Sequence, residues 1–360
     1  MLNQEAFNVK KHTRLIALLM ALALVLAACG DGDDAADGTD AEDGGLICEV
    51  TDVGGVDDKG FNASAWAGAQ RAAADFGAEA KVLESQAETD YEVNINSFVD
   101  QECDIIVTVG FLLGDATKEG ANANPDQSFT IVDFAYGEGE IENDNVKGLV
   151  FNTDEAAFLA GYLAAGVTET GVVGTFGGIN IPPVTIFMDG FVRGVNHYND
   201  AKGTDVQVLG WDPDTQEGSF TNNFESLDDG RAFAQSLVDE GADIVMPVAG
   251  PVGLGSAALA NELGTFSIIG VDVDGFEADT NNSGVYLTSV LKRIDNAVFA
   301  AADDALSDSF DGSLYVGTLE NEGVGLAPYH DKADLVPGDL ASEIDQLRDD
   351  IIGGSVSVSG

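Results

Sequence analysis

Basic residues are scarce in this chain. It has 15 Lys and Arg against 63 Asp and Glu among 360 residues, and its formal net charge at pH 7 is −48. So much negative charge repels the phosphates of nucleic acids and keeps a protein soluble. We therefore exclude nucleic acid as a partner and attribute the acidity to a saline habitat. A specific cation site is the lesser alternative, because scattered carboxylates usually form a solvated surface.

Histidines and catalytic motifs are scarce as well. The chain has three histidines and contains neither G-x-S-x-G nor H-E-x-x-H, the motifs of serine hydrolases and zinc proteases. One pattern, Gly253-x-Gly255-x-x-Ala258, fits the turn of a dinucleotide-binding site. A lone glycine pattern is weak evidence, so a dinucleotide-dependent enzyme is the less favoured alternative. We expect no enzyme activity, no catalytic residue, no cofactor and no metal site.

Long hydrophobic runs are absent too. The apolar run at residues 15–28 is about 14 residues long, whereas a membrane-spanning helix needs roughly 20. It follows three basic residues, as in a secretory signal, and it ends at Leu26-Ala27-Ala28-Cys29-Gly30. This ending resembles the lipobox of bacterial lipoproteins. The resemblance implies a signal peptide at 1–28, acylation of Cys29 and anchoring at the extracytoplasmic face of the cell membrane; the alternative is an ordinary signal peptide with a chance cysteine.

The segment after Cys29 is too polar to fold. Residues 31–45 are Asp, Glu, Gly, Ala and Thr, which bury too little apolar area to offset their ordering entropy. We expect an acidic flexible tether at 29–45 and a folded body from Leu46 onward. The body is longer than one core usually spans, which predicts two lobes. We assign 46–136 and 291–320 to lobe 1, and 137–290 and 321–360 to lobe 2.

Short β-rich runs alternate with longer Ala-rich segments of helical period. This alternation predicts an α/β fold with two doubly wound parallel sheets, joined by crossover strands around a ligand cleft. The expected strands are 46–53, 79–84, 104–109, 128–134, 171–176, 205–209, 244–248, 267–271, 284–290 and 314–317. The expected helices are 62–76, 91–101, 114–123, 155–165, 183–199, 230–240, 255–262, 295–306 and 341–352. Residues 323–336 are expected to be irregular.

Two cysteines remain after Cys29. A strand order of 2-1-3 in the first lobe brings Cys48 and Cys103 near the amino-terminal ends of adjacent strands. In an oxidising compartment such a pair forms a disulfide bond. Two buried free thiols are the alternative.

Aromatic and polar residues collect where the expected strands end. Ligands of open parallel sheets bind outside the carboxyl ends of the strands, and the candidates there are Asp52, Phe61, Asn62, Phe111, Asp133, Phe220, Gly250 and Asp272. Aromatic rings stack on a flat heterocycle at about 1–3 kcal/mol per contact, and Asp and Asn bind its edge and attached hydroxyls. A nucleoside fits this combination.

Each candidate also has a structural interpretation. Phe61 could pack at the entry of a helix and Asn62 could cap it. Asp272 could cap the next turn, and Lys292 could serve as its ion-pair partner. Asp57 and Asp58 are expected to be solvated turn residues, and Trp66 a core residue.

Six segments of the body resemble the basic membrane protein (Bmp/PnrA-like) family of purine-nucleoside-binding lipoproteins. They are DDKGFN at 57–62, FLAGY at 158–162, GGINIPPV at 177–184, PVAG at 247–250, GVD at 270–272 and LTSVLKR at 287–293. The resemblance extends from about Leu46 to Gly360. It implies a type I periplasmic-binding-protein fold and a purine nucleoside as the small-molecule ligand. It also implies ABC permease and ATPase subunits as partners. We expect the protein itself to be a monomer.

The resemblance also implies roles for individual residues. Asp52 falls on the base-contacting acid, Asn62 on the amide, and Phe61 and Phe220 on the two stacking rings; Phe224 follows closely in the same loop. The residues that fall on ribose contacts are Asp133, Gly250, Asp272 and Lys292. A sugar derivative as the ligand, or a nutrient sensor without transport, remains an alternative.

Overall fold

The computed structural model of the protein describes residues 44–358. The predicted signal peptide, Cys29 and nearly all of the tether lie outside the described residues. Within residues 44–358, no helix is both long and apolar enough to cross a membrane.

The strands and helices alternate along the chain as expected. The strands are β1 Leu46–Val50, β2 Glu79–Leu83, β3 Ile105–Val109, β4 Ser128–Val132, β5 Val146–Phe151, β6 Val172–Gly177, β7 Gln207–Leu209, β8 Trp211–Asp212, β9 Glu217–Gly218, β10 Ile244–Val248, β11 Ser267–Asp272, β12 Tyr286–Lys292, β13 Tyr315–Gly317 and β14 Val324–Leu326. The helices are α1 Phe61–Phe76, α2 Tyr91–Val99, α3 Gly114–Ala123, α4 Thr153–Val167, α5 Pro182–Lys202, α6 Leu227–Asp239, α7 Val252–Leu263, α8 Gly275–Ala278, α9 Ile294–Leu306 and α10 Gly338–Ile352.

Two six-stranded sheets carry the fold. The first has the order β13-β5-β4-β3-β1-β2 and is parallel throughout. The second has the order β14-β12-β11-β10-β6-β7, in which β14 alone runs antiparallel to its neighbour. The predicted α/β class and the 2-1-3 order are confirmed. β1 begins at the amino-terminal edge of the first sheet, opposite the edge where ligands are expected.

The expected boundary between the lobes at residue 137 needs correction. β5, which is not among the strands expected from the sequence, lies within the portion assigned to lobe 2 but pairs with β4 in the first sheet. The chain therefore crosses to the second sheet at Asn152, after β5. Similarly, β14 lies in a segment that was expected to be irregular and pairs with β12.

Helix packing explains one glycine of the pattern near residue 253. A Cβ at Gly255 would lie 2.0 Å from the carbonyl oxygen of Leu227, and a Cβ at Gly230 would lie 1.9 Å from that of Val252. Glycine is required at both positions because α6 and α7 approach at backbone distance. Gly255 thus has a structural cause that does not involve a dinucleotide.

The structure joins Cys48 and Cys103 in a disulfide bond. Their Cα atoms are 6.1 Å apart and they are separated by 55 residues in sequence. Both residues are buried, and β1 pairs directly with β3. The bond therefore fastens two central strands of the first sheet.

Candidate ligand-binding cleft

A cleft lies between the carboxyl-terminal edges of the two sheets. The space between its walls, counted together with the open solvent at its mouth, is about 640 Å³. The first sheet and its loops contribute Asp52, Gly54, Asp58, Phe61, Asn62, Gly110, Phe111, Leu112 and Asp133. The second contributes Ile181, Pro183, Val184, Phe187, Phe224, Val248, Ala249, Gly250, Pro251, Val271, Asp272 and Lys292. Of the residues expected at a ligand site, Phe220 is the one that does not line this cleft.

Asn62 connects two carboxylates at the first-sheet wall. Its Nδ2 donates to Asp52 Oδ1 at 2.8 Å and to Asp58 Oδ2 at 3.2 Å. The backbone N–H of Gly54 also donates to Asp52 Oδ1, at 2.9 Å. Burial raises the pKa of Asp52 to about 6, although the hydrogen bonds that Asp52 accepts from Asn62 and Gly54 lower it. Asp52 is held through one oxygen, and its second oxygen faces Gly110 across the cleft wall.

Asp58 differs from its expected role as a solvated turn residue. It is 5% exposed and accepts hydrogen bonds from the backbone N–H groups of Gly60, Asn62 and Ala63 at 2.8 to 3.0 Å. Asp58 therefore satisfies the free donors at the start of α1. Asn62 lies inside the helix and is not its cap. Asp57 is exposed, as expected.

Lys292 pairs with Asp133, contrary to the structural interpretation that paired it with Asp272. Its Nζ is 2.5 Å from Asp133 Oδ2, and the two side chains are 3% and 9% exposed. The same Nζ lies 4.9 Å from the ring centre of Phe61 and 5.8 Å from that of Phe187, within cation–π range. Burial raises the pKa of Asp133, and the charge of Lys292 opposes that shift. This pair connects the end of β12 with the residue after β4, and so links the two sheets.

Asp272 presents an unpaired carboxyl group to the cleft. It is 7% exposed, and within residues 44–358 its oxygens accept no hydrogen bond. The next turn is capped by Asp274, which accepts from the N–H of Phe276 at 3.1 Å. Burial raises the pKa of Asp272 to about 6, while Lys292 opposes the shift. Asp272 and Asp133 both have φ of 68° at a strand end, a strained conformation that is common at binding sites.

Phe224, rather than Phe220, is the phenylalanine of this loop that lines the second-sheet wall. Phe220 forms a β-bridge with Gly177 and packs edge-on against Trp211, with ring centres 5.7 Å apart. A Cβ at Gly178 would lie 2.2 Å from Cε1 of Phe224. The sequence signal for the positions of Phe220 and Phe224 was the pair Gly177-Gly178, because each glycine leaves space for one of the two rings.

Several apolar residues of the cleft were missed from sequence. They are Leu112, Ile181, Val184 and Phe187. Ile181 directly precedes α5, and Val184 and Phe187 lie in its first two turns. The signal was available, because the first turn of a helix that follows a parallel strand lies at the ligand-binding edge.

The cleft is strongly acidic. Among the described residues that line it, four aspartates face a single cation, Lys292. Such a site accepts hydrogen bonds from N–H and O–H donors and repels anions. A further ion pair lies at its rim, where Lys59 Nζ is 3.2 Å from Asp279 Oδ1. Since Lys59 precedes α1 and Asp279 follows α8, this pair also connects the two lobes.

Comparisons with known proteins agree with this architecture. Residues 47–360 match the family model described as ABC transporter substrate-binding protein PnrA-like. The chain is 32% identical to a CD4+ T-cell-stimulating antigen of Listeria innocua, over 97% of this chain and 99% of that protein. It is 29% identical to an ABC transporter nucleoside-binding protein, BmpA, of Lactococcus lactis, with the same coverage.

A solved structure has the same fold. The ABC transporter solute-binding protein from Aeropyrum pernix K1 superposes with a TM-score of 0.77 at 26% identity, covering 87% of this chain and 92% of that one. The type I periplasmic-binding-protein fold expected from the sequence is therefore confirmed. Because the family model spans nearly the whole folded body, this chain belongs to the Bmp family of PnrA-like ABC transporter substrate-binding proteins.

Proposed function

We propose that the protein captures a purine nucleoside in the cleft and delivers it, from a lipid anchor at Cys29, to an ABC importer. The main support is one arrangement of side chains: Phe61 and Phe224 reach the same cleft from opposite lobes, beside the carboxyl groups of Asp52 and Asp272. Two rings stack on the faces of a base, and the carboxylates accept hydrogen bonds from its donors and from ribose hydroxyls.

Different side chains of the cleft suit the two parts of a nucleoside. Asp52 suits the edge of a base, because Asn62 and Gly54 hold one of its carboxylate oxygens and the other can accept from an N–H group. Asp133, Asp272 and Lys292 suit a sugar, since they combine acceptors with a cationic donor. The acidity of the cleft favours an uncharged nucleoside over a nucleotide, whose phosphates would be repelled. The Lactococcus lactis relative, which is named as a nucleoside-binding protein, supports the same choice.

Titration calorimetry on the soluble body, without residues 1–29, tests the proposal. We expect inosine to bind more tightly than ribose, because ribose leaves both rings and Asp52 without a partner. Equal affinity for ribose, or no heat with any purine nucleoside, would contradict the nucleoside assignment. Tight binding of a sugar derivative instead would identify the alternative ligand class.

A further inference from the structure

A buried carboxyl group lies beneath the cleft and takes no part in the contacts described so far. Glu49, on β1, is fully buried, and neither of its oxygens has a hydrogen-bond partner within residues 44–358. An ionised carboxylate in such a place is very unfavourable. The carboxyl group of Glu49 must therefore either have a hydrogen-bond partner or be protonated and neutral.

The surroundings of Glu49 favour its neutral form. Side chains alternate along a strand, so Glu49 faces the same side as Ile47, which packs against alanines of α1. Its neighbours on the adjacent strands are Val82 and Val107. Among the described residues, the charged group that acts on the carboxyl group of Glu49 is Asp58, which is itself an acid. Burial, and then the charge of Asp58, raise the pKa of Glu49 well above its usual value.

An unpaired acceptor lies in the same buried region. Asn62 is 1% exposed; its two amide hydrogens go to Asp52 and Asp58, and its Oδ1 has no partner in the described chain. Asn62 belongs to the sheet-facing side of α1. Because α1 runs back across the strand that precedes it, its first turn lies over the carboxyl end of β1, where Glu49 is. Asp58 links the two residues, since it bonds Asn62 and acts on Glu49.

We propose that Glu49 is a positioning residue for ligand binding, whose neutral carboxyl group donates its hydroxyl hydrogen bond to Asn62 Oδ1. This contact keeps both amide hydrogens of Asn62 on Asp52 and Asp58. Asp52 then holds one oxygen fixed and offers the other to the ligand. The inference rests on the proposed function, in which Asp52 receives a hydrogen bond from the bound base.

Two variants of similar size separate positioning from simple packing. Glu49→Gln keeps a hydrogen-bond donor for Asn62, whereas Glu49→Leu fills the space without one. With inosine as the probe, we expect Glu49→Gln to stay within about threefold of the wild-type affinity and Glu49→Leu to lose about tenfold, as one lost hydrogen bond allows. If Glu49 only fills space, Glu49→Leu binds inosine as the wild type does, and that result overturns the proposal.

A double variant tests whether Glu49 acts through Asn62. In an Asn62→Ala background the contact is already absent, so adding Glu49→Leu should not weaken inosine binding further. The same loss in both backgrounds would place the effect of Glu49 elsewhere and overturn the proposal.

Two measurements without ligand keep the test independent of the nucleoside assignment. At about pH 8, Asp52 and Asp272 are ionised. An infrared difference spectrum of wild type minus Glu49→Gln should then contain the C=O band of a protonated carboxylic acid. The side-chain amide resonances of Asn62 should shift in Glu49→Leu but stay close to the wild type in Glu49→Gln. A missing band, or an unmoved amide in Glu49→Leu, overturns the proposal, whereas failure of the wild type to bind inosine overturns only the proposed function.

Discussion

Two phenylalanines four residues apart have different environments. Phe224 lines the cleft, whereas the ring of Phe220 packs on Trp211 at the side of α5. Both are partly exposed, so burial alone does not distinguish the ring that binds from the ring that supports. Their surroundings do, and they make a matched pair of variants.

Phe224→Ala should weaken inosine binding by about 1–3 kcal/mol, because it removes one stacking face. That corresponds to roughly a fivefold to more than a hundredfold loss of affinity. Its melting temperature without ligand should change little. Phe220→Ala is the control and should lower the melting temperature more than it lowers affinity. Calorimetric titration and thermal denaturation of both variants check this, and the reverse pattern would show that Phe220 is the stacking ring.

The pH dependence of binding follows from two carboxyl groups. Burial is the first cause that raises the pKa of Asp52 and of Asp272 to about 6, above the value of about 3.9 in an unfolded chain. Because the folded form takes up protons first, its stability rises as the pH falls through 6. Protonation, however, removes the negative charge that makes each carboxylate a strong acceptor and turns one of its oxygens into an O–H donor, so the hydrogen bonds to a ligand weaken.

We therefore expect opposite trends between about pH 7.5 and about pH 5. The melting temperature of the ligand-free protein should rise, and its affinity for inosine should fall. Asp272→Asn, which cannot titrate, should show a weaker pH dependence of binding. Affinity that is constant over this interval would mean that neither carboxylate accepts a hydrogen bond from the ligand.

At the scale of elements, the disulfide bond fastens β1 to the start of β3. Closing a loop of this length contributes about 4 kcal/mol in the chain-entropy model. Cys48 and Cys103 should therefore resist alkylation in the unfolded, unreduced protein and react after reduction. The Cys48→Ser, Cys103→Ser double variant should unfold at a lower denaturant concentration. Labelling of both thiols without a reductant would show that the bond does not form in the exported protein.

Most elements could be predicted from sequence because their periodicity is simple. β5 could not, because Lys147 and Gly148 interrupt its apolar pattern. Lys147 is nevertheless buried, and its Nζ pairs with Asp304 Oδ2 at 2.6 Å. The partner is more than 150 residues away, in α9, so local sequence does not reveal that this lysine can be buried. The missing strand in turn displaced the expected lobe boundary.

The cleft itself was largely predictable because strand ends determine where ligands bind. Asp52, Phe61 and Asn62 follow directly from that rule. The ion-pair partners within the cleft could not be predicted in this way, since the pairing of Lys292 with Asp133 depends on how one lobe faces the other. The burial of Asp58 was not predicted for a related reason. An aspartate in a turn is solvated unless the first N–H groups of a helix donate hydrogen bonds to it.

At the scale of the whole molecule, the proposed anchor makes a separate prediction. If Cys29 is acylated, the wild-type protein should partition into the membrane or detergent fraction, because two acyl signals hold a protein there stably. Cys29→Ser should be soluble or remain unprocessed. Unchanged membrane partitioning of a correctly cleaved Cys29→Ser protein would contradict lipid anchoring.

The position of β1 has a practical consequence. The folded body starts at the amino-terminal edge of the first sheet, while the cleft opens at the opposite, carboxyl-terminal edge. A dye or a solid support attached at Leu46, where β1 begins, would therefore lie at the edge of the first sheet opposite the cleft.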